Sequence, residues 1–112
     1  MTSFKQGDIL LVPFPFTHHR TTKQRPAVVL SSETYNRAHP DIILAPITSR
    51  MGGVPDMVPL VEWKSAGLLR PSMVKPILSS FDVSLVRRQL GSLSASDLDQ
   101  VRALFSRILD LP

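Results

Sequence analysis

Two stretches of this sequence gather the residue types that act on phosphate esters. The first is His18-His-Arg-Thr-Thr-Lys-Gln-Arg25, with His18, His19, the cations Arg20, Lys23 and Arg25, two threonines and no acid. Such a segment can pair with phosphates and hydrogen-bond to exposed base edges. It can equally be a solvated loop, and for Arg20 and Lys23 both readings stand. Arg25 differs because it directly precedes the apolar run Pro26-Ala-Val-Val-Leu-Ser31. A side chain at a strand mouth is held more firmly than one at a loop tip, which suits a positioned role. The second stretch is Pro46-Ile-Thr-Ser-Arg50, where two hydroxyls and a guanidinium follow an apolar run. Together they can hydrogen-bond an anion, although Ser and Thr also end strands simply by making local turn bonds.

Other chemistries lack their parts. The chain has no cysteine, which excludes disulfides, thiol nucleophiles and cysteine-ligated metals. Its nine carboxylates are scattered, and only Asp97 and Asp99 lie close, at a helix start where capping explains them. His18, His19 and His39 form no i, i+4 pair and have no acidic neighbour, so no metal site is expected. No glycine pattern matches a P-loop or dinucleotide fingerprint, and Gly52-Gly53 reads as a flexible turn. What remains is polyanion chemistry by Arg, His and hydroxyl groups. RNA strand cleavage fits that inventory, because the ribose 2′-OH is the nucleophile and no covalent residue or metal is required. The protein must align that hydroxyl with phosphorus, neutralise charge building on phosphate oxygens, and move two protons. Arg25 suits the second task. It does not suit general-base duty, because a guanidinium has a pKa above about 12.

The elements that must position these residues are short. Asp8–Val12, Ala27–Leu30, Asp41–Ala45, Met57–Val61 and Ser72–Leu78 read as strands, rich in Val, Ile and Leu and bounded by turn formers. Pro59 and Pro76 place two of them at an edge, at a bulge or at a strong bend. Ser94-Ala-Ser-Asp97 reads as a helix start. Leu98, Val101, Phe105 and Ile108, widened by Leu104 and Leu109, form an amphipathic stripe, so a helix is expected over 95–109. The connections Phe14–Gln24, Ser49–Asp56 and Glu62–Pro71 are longer than tight hairpins and are the places for function. The expected fold is mainly β with a C-terminal helix, a small curved sheet closing into a half-barrel.

At 112 residues the chain makes one domain, 1–112, able to bury a single core. Eleven of its thirteen Lys and Arg residues, but six of its nine acids, precede residue 91. With a pI near 10.1 the domain is a candidate to bind a polyanion. The longest apolar run, Ile9–Phe16, is short of the about 20 residues a bilayer needs and contains two prolines. A soluble cytoplasmic protein without a membrane partner is expected.

Gly7-Asp8-Ile9 before an apolar strand, then Arg25-Pro26-Ala27-Val28-Val29-Leu30-Ser31, Asn36, Pro46-Ile47-Thr48-Ser49, and Gly91-Ser-Leu before a terminal helix, occur in this order. This series resembles the MazF/PemK (Kid) toxins of type II toxin–antitoxin modules, over nearly the whole chain. The resemblance implies a dimeric SH3-like half-barrel. It implies a sequence-specific endoribonuclease that cuts single-stranded RNA without metal or other cofactor, leaving a 2′,3′-cyclic phosphate and a 5′-OH. Arg25 and Thr48 are then the catalytic pair. His18, His19, Arg20, Lys23, Ser49, Arg50 and Lys75 are the expected substrate-binding residues. A cognate antitoxin with an extended acidic C-terminal segment is the expected inhibitor, since it presents spaced negative charge to the same cations.

One departure stands out. Many family members carry an acid and a glutamine after the strand that here reads Ser72-Met-Val-Lys-Pro-Ile-Leu78, and this chain has no acid between Glu62 and Asp82. Lys75 fills a place where a basic residue is common. Two other readings of the same small barrel stay open. One is a CcdB-type gyrase inhibitor acting by protein contact, although the end Asp110-Leu-Pro112 lacks that group's aromatic helix terminus. The other is an RNA-binding module without catalysis.

Overall fold

The computed structural model describes residues 3–15, 22–50 and 55–112. In order these form β1 (Asp8–Pro15), β2 (Thr22–Val29), α1 (Glu33–Ala38), β3 (Asp41–Thr48), β4 (Val58–Pro59), β5 (Met73–Val74), β6 (Ser79–Asp82), a 3-10 turn (Val83–Leu85), β7 (Arg88–Ser92) and α2 (Ala95–Ile108). The strands pair antiparallel in the order β4-β5-β3-β2-β1-β7, with β6 also paired to β3. The mainly β architecture with a terminal helix is the expected one.

Where strand limits differ from the sequence reading, proline and pairing explain it. The β1–β2 hairpin continues through Val12↔Arg25, Phe14↔Lys23 and Pro15↔Thr22. Lys23 to Arg25 therefore sit inside a strand, not in a loop that begins at Phe14. β1 tolerates Pro13 and Pro15 because its ladder with β7 stops at Leu11↔Arg88, which leaves that edge without further bonds to make. Of the expected strand Ser72–Leu78 only β5, Met73–Val74, forms, on Ile47–Thr48; it stops ahead of Pro76, and β6 begins past the expected range at Ser79, on Asp41–Leu44. Met57–Val61 shrinks to the two-residue edge strand β4. Residues 16–21 and 51–54 lie outside the described residues, and with them His18, His19, Arg20 and Gly52-Gly53.

Alternation along the strands gives the sheet two apolar faces. One carries Ile9, Val28, Ala45, Ile47 and Val74, packed against Leu60, Ala66 and Leu68 and against Val101, Leu104 and Phe105 of α2. The other carries Leu10, Val12, Ala27, Val29, Ile42 and Leu44, beneath Phe4, Phe14, Phe81 and Val86. α2 starts as its sequence demands, with Ser94 Oγ accepting the Asp97 N–H at 3.2 Å. Its stripe ends a turn early: Ile108 and Leu109, expected in the core, are 43% and 47% exposed.

Asp97 does more than sit in a first turn. Its buried carboxylate accepts the N–H groups of Val61 and Glu62 at 3.1 and 2.8 Å, tying the β4–β5 connection to the helix. That connection also meets β7 backbone to backbone: a Cβ on Gly67 would strike the Leu90 carbonyl, and one on Gly91 the Ala66 carbonyl. Gly67 has φ +91°, which only glycine adopts without strain. These contacts hold the segment that leads into β5.

Candidate nucleic-acid site

Residues opposed across antiparallel strands share a face, and so do alternate residues along each strand. Ala27 of β2 is opposite Pro46 of β3. On the other side of β3 the Lys75 N–H donates to the Pro46 carbonyl at 3.0 Å. The β2–β3 pairing ends at Ala27↔Pro46, and Arg25 and Thr48 each lie two residues beyond it on their own strands, with Thr48 paired to Met73 of β5. By alternation Arg25 of β2 and Thr48 of β3, with Lys75 just past the end of β5, belong to one end of the face whose other part is the core of Leu10, Val12, Ala27, Val29 and Leu44. Val12 is the direct cross-strand neighbour of Arg25.

All three side chains are half-buried, while Lys23, Ser49 and Arg50 are exposed. Lys23, opposite Phe14, continues the Arg25 face one step outward. Phe14 in turn packs edge-on to Phe81, with ring centroids 4.9 Å apart at 69°, which walls the apolar part of the face. Thr48 Oγ1 accepts the Arg50 N–H at 3.1 Å. That is the local turn bond that Ser and Thr make at a strand end.

The charge here is of one sign. No carboxylate occurs in 22–25, 46–50 or 72–78, which together bring Lys23, Arg25, Arg50 and Lys75. Asp82, whose carboxyl the Ser84 N–H and hydroxyl hold below the usual carboxylate range, is opposite Asp41, at the far end of β3. Seven steps along the strand separate that end from Thr48, about 23 Å at roughly 3.3 Å each. Among the described residues no group of three or more His, Asp or Glu side chains could hold a metal ion. Such a surface is built for an anion with several charges. Asn36, by contrast, works for the fold: its amide donates to the carbonyls of Phe4 and Ser31.

Comparison with known proteins bears on the fold and the family. A family model described as the PemK-like, MazF-like toxin of type II toxin–antitoxin systems matches residues 5–109. The Mycobacterium tuberculosis toxin MazF-mt6 is similar in structure, with TM-score 0.77 and 25% identity over 94% of this chain and 98% of that one. So is the MazE–MazF assembly of Deinococcus radiodurans, with TM-score 0.81 and 27% identity over 100% of both chains. An endoribonuclease solved with its cognate antitoxin from a mycobacterial species has TM-score 0.81 over 100% and 98%, and at 16% identity it shows the shared fold alone. No curated protein sequence matches. The half-barrel fold is common to all three structures.

Proposed function

We propose, on the premise that the chain belongs to the PemK-like, MazF-like toxin family of type II toxin–antitoxin systems, that it is a metal-independent endoribonuclease acting on single-stranded RNA. What supports this reading is strand alternation, which puts Arg25 of β2 and Thr48 of β3 on one face, each two residues past the Ala27↔Pro46 pair, with the Lys75 N–H bound to the Pro46 carbonyl. The ribose 2′-oxygen bonds to the adjacent phosphorus and the bond from phosphorus to the 5′-oxygen breaks. The 2′-OH loses its proton and the departing 5′-oxygen gains one. The products are a 2′,3′-cyclic phosphate and a 5′-OH. Arg25 neutralises charge on the phosphate oxygens with a planar, permanently charged fork. Thr48 adds a hydrogen bond to the same group. Lys75, Arg50 and Lys23, with Ser49 and the segment His18-His19-Arg20, hold the strand on either side. The test is a fluorescent RNA offered unpaired, as a duplex, and as DNA of the same sequence. Only the unpaired RNA is expected to be cut, because an A-form duplex hides its bases and DNA lacks the nucleophile. Cutting of DNA would overturn the reading.

We also infer a homodimer. Ile77, Leu78, Val83 and Leu85 are 41–45% exposed beyond Lys75, and Ile108, Leu109 and Leu111 of the C-terminal end are 43–56% exposed. Apolar side chains grouped this way suit an isologous interface. Light scattering should give twice the 12.4 kDa chain mass, and a monomer at micromolar concentration would contradict the inference. The cognate antitoxin's acidic segment is proposed to compete for the cationic surface. Charge reversal at Arg20 and Lys23 should then weaken RNA and an acidic peptide together, with both affinities falling as salt rises. Loss of RNA binding alone would place the inhibitor elsewhere. The gyrase-inhibitor reading gains no observation here.

A further inference from the structure

We propose that the main-chain N–H of Arg50 is a positioning group, holding the Thr48 hydroxyl so that its O–H is turned away from the main chain and offered to a phosphate oxygen. The proposal rests on the ribonuclease reading above and adds to it a residue acting through its backbone. The Arg50 N–H donates to Thr48 Oγ1 at 3.1 Å, two residues on. A hydroxyl has one O–H and two lone pairs. A fixed main-chain donor occupies one lone pair, and turning about the C–O bond then carries the O–H away from that donor. Rotation about Cα–Cβ is restricted as well, because threonine is β-branched. The oxygen is anchored from below by β3, paired to β5 through Thr48↔Met73. Ser49 and Arg50 are exposed beside it, so its open side is the side from which a strand of RNA arrives.

Residue 50 on this account has two separable parts. The guanidinium draws in phosphate and acts on binding. The N–H acts only through Thr48, and only while a hydroxyl is there to orient. Thr48 remains protonated throughout; it gives a hydrogen bond and takes no proton from the 2′-OH.

A double-mutant cycle on steady-state cleavage of unpaired RNA separates these parts. Arg50→Ala keeps the N–H and loses the cation, so its effect should lie in KM and in the salt dependence. Arg50→Pro loses both, and should lower kcat on the scale of a lost preorganised donor, about 10²–10³-fold. Thr48→Val, of similar shape without the hydroxyl, should lower kcat by a similar factor. In the Thr48→Val background, Arg50→Pro should then cost no more than Arg50→Ala. Proline also restricts Ser49, so an ester in place of the 49–50 amide, made by chemical ligation, deletes the N–H alone. It should reproduce the fall in kcat. An undiminished kcat with the ester, or a full further loss in the Thr48→Val background, would overturn the proposal and leave the ribonuclease reading standing. An unaltered chain that fails to cut RNA would bring down both.

Discussion

Replacing Arg25 by alanine is expected to reduce RNA cleavage at least about 10²–10³-fold, the usual cost of one preorganised electrostatic donor. Several features argue for the upper end. Arg25 sits within a paired strand, opposite Val12, so its position is set by the sheet rather than by a loop. The segments 22–25, 46–50 and 72–78 bring four cations and no acid, a composition that favours an anionic ligand. Thr48→Ala should be slower than the unaltered chain and faster than Arg25→Ala, since it removes a neutral donor and leaves the charge. Arg25→Lys should recover part of the rate, because a point charge replaces a planar fork that binds two phosphate oxygens at once. Initial rates at saturating RNA, with thermal unfolding as a control on folding, decide the order. A near-native rate in Arg25→Ala would remove this residue from the chemistry.

A single deoxyribose, placed 5′ of a scissile phosphate, should abolish cutting at that site and leave other sites in the same strand unaffected. The prediction follows from the inventory of the site. Arg25, Lys75, Thr48 and Ser49 offer charge and hydrogen bonds but no activated nucleophile. The attacking oxygen must then come from the RNA. Binding to the modified strand should change little, because the phosphates that meet the cations are intact. Continued cutting at the deoxy position would mean that water or a protein group attacks phosphorus.

The sequence made some of this structure legible and hid the rest for physical reasons. α2 was readable because Leu98, Val101, Leu104 and Phe105 repeat at helical spacing behind a serine cap, and all except Leu98 are buried. The apolar cores of β1, β2 and β3 were readable because Val, Ile and Leu crowd them. Their lengths were not, since Pro13, Pro15 and Pro46 look like breakers until the pairing shows which edges are free. β7 escaped notice because Arg88-Gln-Leu-Gly-Ser92 has little apolar pattern and earns its place through Gly91 against Ala66. Asp97 read as a local capping residue, because nothing in its neighbourhood announces Val61 and Glu62. Arg25 and Thr48 could be named separately as chemically apt. That they fall on one face, each two residues past the Ala27↔Pro46 pair, is a matter of register, which composition does not carry.

The central claim is cleavage of RNA by its own 2′-OH on a surface of Arg25, Thr48 and Lys75. Its most direct test is incubation of the purified chain with a long unpaired RNA in excess EDTA, with every new end mapped and its chemistry identified. The expected result is a small set of discrete cuts, each leaving a 2′,3′-cyclic phosphate on one fragment and a 5′-OH on the other. No cutting until Mg²⁺ is restored, or fragments that carry a 5′-phosphate, would contradict it.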